Sequence, residues 1–212
     1  MTTLGSVREV AEVVAAASTP DHRLIAGIVG APGAGKSTIA AQVVELLSPD
    51  AVLLPMDGFH LPQATLVELG RRDRMGAPDT FDVDGFREIL KSLRSHSQNS
   101  GVALSAPGFD RETEEPIPDA IALSPEFCTV IVEGNYLLLD SDGWAGIAGM
   151  FDLTFFVEVD HETRIERLVA RHERFGKSPA DARAWALGPD ENNARLIEAT
   201  ASRADYRIRL QP

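Results

Sequence analysis

Gly30-Ala31-Pro32-Gly33-Ala34-Gly35-Lys36-Ser37 decides the fold of this chain. The segment matches the spacing G-x-x-x-x-G-K-S/T at every fixed position. It lies between an apolar run of strand length, Leu24-Ile25-Ala26-Gly27-Ile28-Val29, and a helical pattern from Thr38 to Leu47. A strand, a glycine-rich turn and a helix N-terminus in that order form a cradle for phosphate. Glycines at 30, 33 and 35 let successive backbone N–H groups converge on phosphate oxygens, and the helix adds the positive end of its dipole. Gly30, Ala31, Pro32, Gly33, Ala34, Gly35, Lys36, Ser37 and Thr38 are therefore the candidate ATP-binding segment. Lys36 is expected to reach the β- and γ-phosphates. Ser37 is expected to place its hydroxyl on Mg²⁺, a hard cation that takes few protein oxygens and keeps waters.

Outward from the cradle, strand-like runs fall at 23–29, 51–56, 101–105, 128–132, 153–159 and 206–210, with helical patterns between most of them. This alternation predicts an α/β fold, a mainly parallel sheet covered by helices on both faces. Residues 6–18 read as an amphipathic helix. In Asp84 to Leu93 the apolar residues Phe86, Ile89, Leu90 and Leu93 recur at helical spacing, with Asp82 or Asp84 as N-cap. Residues 57–82 and 106–118, rich in proline and glycine, read as long loops that wall a substrate site. The 212 residues suit one domain.

Composition limits the partners. A net charge of −12 opposes broad binding to nucleic acid or an anionic membrane surface. The single Cys128 excludes an internal disulfide framework and fits a reducing, cytoplasmic setting, where it reads as a buried small apolar residue. No uninterrupted apolar segment has the pattern of a signal peptide or the length of a membrane span. Whether two copies of the chain pair is left open.

Two carboxylates follow strand-like runs. Cys128-Thr129-Val130-Ile131-Val132 ends in Glu133, and Ala51-Val52-Leu53-Leu54-Pro55-Met56 ends in Asp57. Ligands of open parallel sheets gather at the carboxyl ends of strands, so both side chains are expected to face Lys36. Glu133 is a candidate for metal binding with Ser37, or for orienting the phosphate acceptor. Asp57 is the candidate catalytic base, since transfer to an alcohol needs a carboxylate that accepts the hydroxyl proton. Asp57 before Gly58 also suits a plain turn, and Pro55 implies an edge strand or an early strand end. A third signal is basic: Arg164, Arg167, Arg171 and Arg174 recur at intervals of three, four and three on one helical stripe, before a hinge at Gly176-Lys177-Ser178-Pro179. Arginines so placed can clamp a triphosphate under a lid spanning about 164–180, or simply pair with neighbouring glutamates.

These parts together resemble the uridine kinase, phosphoribulokinase and bacterial-type pantothenate kinase superfamily of P-loop kinases, from about Ile25 to Leu210. The resemblance rests on Gly30 to Ser37, Met56-Asp57-Gly58-Phe59-His60, Gly76-Ala77-Pro78-Asp79-Thr80-Phe81-Asp82, Pro107-Gly108-Phe109-Asp110-Arg111, Glu133-Gly134-Asn135-Tyr136 and the arginine helix. It implies a three-layer P-loop NTPase sandwich with a small helical lid. It also implies that Asp57 is the base, that Glu133 is the acid near metal and substrate, and that Arg167, Arg171 and Arg174 belong to the lid. Asn193 and the backbone near Arg207 are implied as adenine contacts.

Two departures bear on the acceptor. Uridine kinases typically carry Asp-His-Pro-Asp-Ala-Phe-Asp where this chain has Gly76 to Asp82, and Tyr-Asp-Phe where it has Gly108-Phe109-Asp110. A nucleoside acceptor is weakened by both. The chain is more similar to the nucleoside/nucleotide kinase-like and fructose-transport kinase subgroup. There His60, Arg74, Asp110 and Arg111 are free for a polyhydroxylated or anionic acceptor, and Phe81 and Tyr136 line the pocket or belong to the core. The expected activity is an ATP- and Mg²⁺-dependent kinase acting on a hydroxyl of a small metabolite. The alternatives are a regulatory nucleotide hydrolase and a metabolite-binding protein without turnover.

Overall fold

The computed structural model describes residues 1–19, 22–95 and 104–210. Along the chain come β1 (Thr2–Leu4), α1 (Val7–Ala17), β2 (Leu24–Val29), α2 (Lys36–Leu46), β3 (Ala51–Pro55), α3 (Gln63–Glu68) and α4 (Val83–Ser95). Then follow β4 (Leu104–Asp110), β5 (Glu115–Leu123), β6 (Thr129–Gly134), β7 (Leu153–Val157), α5 (His161–Arg174), α6 (Pro179–Leu187), α7 (Pro189–Glu198) and β8 (Tyr206–Ile208). Six strands form one sheet in the order β1-β8-β7-β2-β6-β3, and every pairing within it is parallel.

Every residue of β2 and β6 is buried, as expected of parallel strands covered on both faces. Side chains alternate between two cores because the strand period is two. Leu24, Ala26, Ile28, Ile131 and Phe155 enter the layer shared with α1 and α2, through Val10, Val14, Ile39 and Val43. Ile25, Val29, Val130, Val132 and Phe156 enter the opposite layer, with Phe86, Leu90 and Leu93 of α4 and Ile197 of α7. Ser6 Oγ accepts from the Glu9 amide at 3.2 Å to start α1, and of the two expected caps of α4 it is Asp82 whose Oδ1 accepts from the Gly85 amide, at 2.9 Å.

The structure corrects several expectations. Of the run at 101–105, residues 101–103 lie outside the described residues, and Leu104 begins an antiparallel hairpin of β4 with β5 rather than a strand of the parallel sheet. The expected loop 106–118 is therefore mostly strand. Pro107, Pro116 and Pro118 hide it in the sequence, and they are tolerated because a two-stranded ribbon is all edge. The stretch 57–82 is built of short turns and α3, pinned from the core: Trp144 Nε1 donates to the Pro78 carbonyl at 3.0 Å, and the Tyr136 hydroxyl donates to the Gly76 carbonyl at 2.5 Å. Both readings of Pro55 hold, since it is the last residue of an edge strand. The three-residue β1 is too short to show a pattern in sequence. Cys128 is only half-buried.

The hairpin meets the turn after β3 at a close backbone approach. A Cβ on Gly58 would stand 2.0 Å from the Pro107 carbonyl oxygen, a rigid backbone atom. Gly58→Ala is expected to push the hairpin off the sheet and cost about 1–3 kcal/mol, the usual penalty for overpacking. Thermal unfolding of the variant beside the parent measures this.

Candidate active site

Strand register sets the site. Val29 pairs with Gly134, and Pro55 pairs with Glu133, so β2, β6 and β3 end at one level. The residues that follow β2 and β3, together with the end of β6, therefore share one rim: the phosphate loop, Asp57 in a 3-10 turn (Met56–Phe59), and Glu133. Within the loop, Gly33 has φ +81°, and a Cβ there would stand 2.8 Å from the Arg164 carbonyl oxygen, so the backbone is both left-handed and tightly packed. Lys36 is the first residue of α2, 8% exposed, and its Nζ donates to the Ala31 carbonyl at 3.2 Å. Ser37 Oγ donates to Glu133 Oε1 at 2.9 Å.

Burial and charge shift the titrations in opposite directions. Burial lowers the proton affinity of Lys36, against the pull of Glu133 and Asp57. Burial would raise Asp57, but His60, Arg111, Lys36 and Arg171 together hold its carboxyl below the ordinary value. Burial, joined by the negative charge of Asp57, holds Glu133 above its ordinary value. Two carboxylates with separated proton affinities at one strand-end rim are a frequent mark of divided chemical roles.

The cleft beside them has a volume of about 160 Å³. One wall is the phosphate loop with Pro32, Lys36 and Ser37, and above it stand Arg171, His172 and Lys177 of the α5–α6 region, with Trp185 of α6. The other wall carries Asp57, His60, Phe81, Phe109 and Arg111. His60 packs its ring on Phe81 and Phe109, with centroids 4.0 and 4.7 Å away. Its Nδ1 lies 2.8 Å from the Asp57 carbonyl oxygen, which only accepts, so Nδ1 carries the proton. Burial favours the neutral ring, which leaves Nε2 as an acceptor.

The residues singled out in the sequence divide clearly. Lys36, Ser37, Asp57, His60, Phe81, Arg111, Glu133, Arg171 and Asn193 all line the cleft. Thr38 is exposed on α2. Arg167 stands over the phosphate loop, its guanidinium 3.6 Å from where a Cβ on Gly35 would be. Three acceptor candidates are turned elsewhere. Arg74 is committed to Asp79 at 2.6 Å, Asp110 caps its own turn by accepting from the Glu112 amide at 2.8 Å, and Tyr136 is fully buried against Gly76. Asn193 donates to the Gly76 carbonyl at 3.2 Å. The arginine stripe splits by depth: Arg164 is 1% exposed and pairs with Glu191, while the side chains of Arg167 and Arg171 make no hydrogen bond or ion pair among the described residues.

Sequence reasoning missed Arg72, Glu114, His172, Lys177, Trp185 and Asp190, all of which line the cleft. His172 pairs with Asp190 at 2.6 Å, and Lys177 Nζ lies 4.6 Å from the Trp185 ring centroid. Lys177 reads in the sequence only as part of the hinge, and nothing in its spacing aims it at the cleft. A second cavity, of about 440 Å³, opens beyond the ends of β7 and β8 and is lined by Ala31, Glu158, His161, Arg164, Glu198 and Arg209, among others. Arg164 Nε and NH1 are buried there without a partner.

No group of three or more His, Cys, Asp or Glu residues among the described residues could hold a metal by itself. A hydroxyl bonded to a carboxylate beside a phosphate cradle is nonetheless the hard-oxygen donor set that suits Mg²⁺, which takes its other ligands from phosphate and water. No helix among the described residues is long and apolar enough to cross a membrane.

No family model matches the chain. Individual proteins do. An ATP-dependent kinase-like protein of Aspergillus versicolor is 38% identical over 133 residues, which is 61% of this chain and 77% of that protein. A candidate uridine kinase of Schizosaccharomyces pombe is 33% identical over 163 residues, 71% of this chain and 67% of that protein. Among solved structures, that of a candidate fructose transport system kinase from Silicibacter sp. superposes with a TM-score of 0.85 at 35% identity, covering 95% of this chain and 98% of the other.

The raised proton affinity of Glu133 gives a stability test. Its ionised form is disfavoured in the folded state, so native stability falls as pH rises from the ordinary carboxylate value through the elevated one. Glu133→Gln keeps an acceptor for Ser37 and removes that penalty. Its melting temperature is expected to exceed the parent's at neutral pH, as thermal unfolding of the two proteins side by side would show. The gain should vanish below about pH 4, where both side chains are uncharged.

Proposed function

Because the chain belongs to the ATP-dependent P-loop kinases related to uridine kinase, pantothenate kinase and phosphoribulokinase, we propose that it moves the γ-phosphate of ATP to a hydroxyl of a small metabolite at this cleft. The observation that carries this reading is Asp57. It is held ionised by four cationic or polar neighbours, at the strand-end rim it shares with Lys36 and across the cleft from the phosphate loop.

In this reading Asp57 accepts the proton of the acceptor hydroxyl while that oxygen bonds to the γ-phosphorus, and the bond from phosphorus to the departing ADP oxygen breaks. Lys36, fixed by the Ala31 carbonyl, offers its ammonium to the β- and γ-phosphate oxygens. Arg171, without another partner among the described residues, neutralises charge on the transferring group from the opposite side. Ser37 and Glu133 would hold Mg²⁺, which neutralises phosphate charge when bound. The cavity beside Ala31 supplies room for the nucleoside of ATP.

The cleft at 160 Å³ is smaller than the roughly 300–1,000 Å³ of a typical ligand site. Entry of both substrates then needs α5 and α6 to swing outward as a lid, turning at Gly176, whose φ of +92° ends α5. A hydrolase that uses water alone has no use for the aromatic wall of His60, Phe81 and Phe109, which favours a carbon-bearing acceptor.

Asp57→Asn is expected to bind ATP with the parental affinity in a nucleotide titration and to lose about 10²- to 10⁴-fold in acceptor-dependent ADP release. Transfer at the parental rate would remove Asp57 from the mechanism. Arg171→Ala is expected to lower kcat on the order of 10³-fold with a smaller effect on the acceptor KM, since its target is charge that grows during transfer.

A further inference from the structure

The guanidinium of Arg111 sits on the base. Arg111 NH2 donates to Asp57 Oδ2 at 3.0 Å, and this is its one hydrogen bond or ion pair among the described residues. The arginine is carried at the tip of the hairpin, in the turn between β4 and β5 that Asp110 caps. The tip of the hairpin is held by His60, which packs on Phe109 and is bonded to the Asp57 carbonyl. The side chains of Arg111 and Asp57 are 44% and 26% exposed, so their pairing is partly screened by water and easily exchanged.

The groups that face Asp57 differ in what they can do when substrates enter. Lys36 and Arg171 belong to the phosphate side, Glu133 is engaged by Ser37, and His60 shares the turn of Asp57 and favours the neutral ring. Arg111 alone approaches from the acceptor wall, where Arg72 is already tied to Gln63 at 2.8 Å and Glu114 at 2.6 Å. While Arg111 holds Oδ2, that oxygen has a cation where a hydroxyl proton would have to go.

We propose that Arg111 is an exchangeable guard of Asp57, which leaves the carboxylate for an oxyanion on the acceptor, so that the cleft takes an alcohol that also bears a carboxylate or a phosphate. The inference rests on the kinase reading above and names the chemical class of its acceptor. A bidentate guanidinium suits either oxyanion. In the empty cleft the guard keeps the base from activating water. Binding of the anionic alcohol draws the guard away as its hydroxyl arrives, so the base is released only when there is something to phosphorylate. A neutral sugar or nucleoside has nothing to draw the guanidinium off. Arg111 thus acts through Asp57, as a positioning residue that also contacts the substrate.

The test compares the parent, Arg111→Gln, Arg111→Lys and the double variant Asp57→Asn/Arg111→Gln. ATP turnover is followed over a pH series, first without acceptor and then with D-glycerate, pantothenate, a sugar phosphate, fructose and uridine. Without acceptor, Arg111→Gln is expected to hydrolyse ATP several-fold faster than the parent, with the acid limb of its pH profile moved to higher pH. The double variant should lose that gain, and Arg111→Lys should return part of the parental behaviour. With acceptors, the anionic alcohols should stimulate the parent beyond fructose and uridine, the carboxylates and the sugar phosphate telling the two oxyanions apart. Arg111→Gln should raise the KM of the stimulating compound about 10- to 100-fold, the worth of hydrogen bonds to a charged group. An acceptor-free rate and acid limb that do not move in Arg111→Gln overturn the guard. Stimulation by fructose or uridine that ignores Arg111 overturns the anionic class while leaving the kinase reading intact. Phosphoryl transfer that survives Asp57→Asn at the parental rate overturns that reading itself.

Discussion

Lys36 carries an ammonium into a place almost closed to water, and only the two carboxylates at neighbouring strand ends make that burial tolerable. An isolated ammonium there would be penalised by several kcal/mol of lost hydration. The compensation comes from three directions: Glu133 at the end of β6, Asp57 just after β3, and the carbonyl of Ala31 within the loop itself. Each is placed by sheet register rather than by side-chain flexibility, because the parallel pairing of β2, β6 and β3 levels their ends. The charge cluster and the sheet therefore specify one another. A slip of one residue in β6 would turn Glu133 to the other face and take from Lys36 one of its two carboxylates.

The same cluster explains how two similar side chains come to behave differently. Glu133 is boxed in by β6, Ser37 and the negative charge of Asp57, and its proton affinity rises. Asp57 sits one strand further out, where His60 and Arg111 reach it from the acceptor wall, and its proton affinity falls. The difference comes from what lies on the outer side of the edge strand, namely the turn that carries His60 and a hairpin that is not part of the sheet. The architecture is an ordinary three-layer sandwich; the chemistry depends on the ribbon added to its margin.

Legibility in the sequence followed the range of the interactions involved. The phosphate loop, the two strand-end carboxylates and helix α4 are local patterns, set by spacing along a few residues, and they could be read directly. The hairpin could not, since Pro107, Pro116 and Pro118 erase the alternation that marks a strand and its partner is found only by pairing. Periodicity placed Arg164, Arg167 and Arg171 on one stripe but carries no information about depth, so it could not separate the buried tie to Glu191 from the two arginines left unpaired. Arg72 and Arg74 stand two residues apart in one short turn. Asp79 claims Arg74, and Arg72 goes to the cleft, a choice made by a contact rather than by residue type. The lining residues His172 and Asp190 meet across 18 positions of chain, and nothing local announces the pairing.

The two tryptophans stand in contrasting surroundings. Trp144 is fully enclosed, its indole N–H bonded to a carbonyl and its ring packed among Phe81, Phe86 and Tyr136. Trp185 borders the cleft with the ammonium of Lys177 over its face. Indole emission responds to nearby charge and to water, so the two rings form a built-in optical gauge. Trp144 supplies a steady blue-shifted background, and Trp185 brightens, dims or shifts with whatever enters beside it. Substrate entry can thus be watched in the unlabelled chain, with no dye attached beside the cleft.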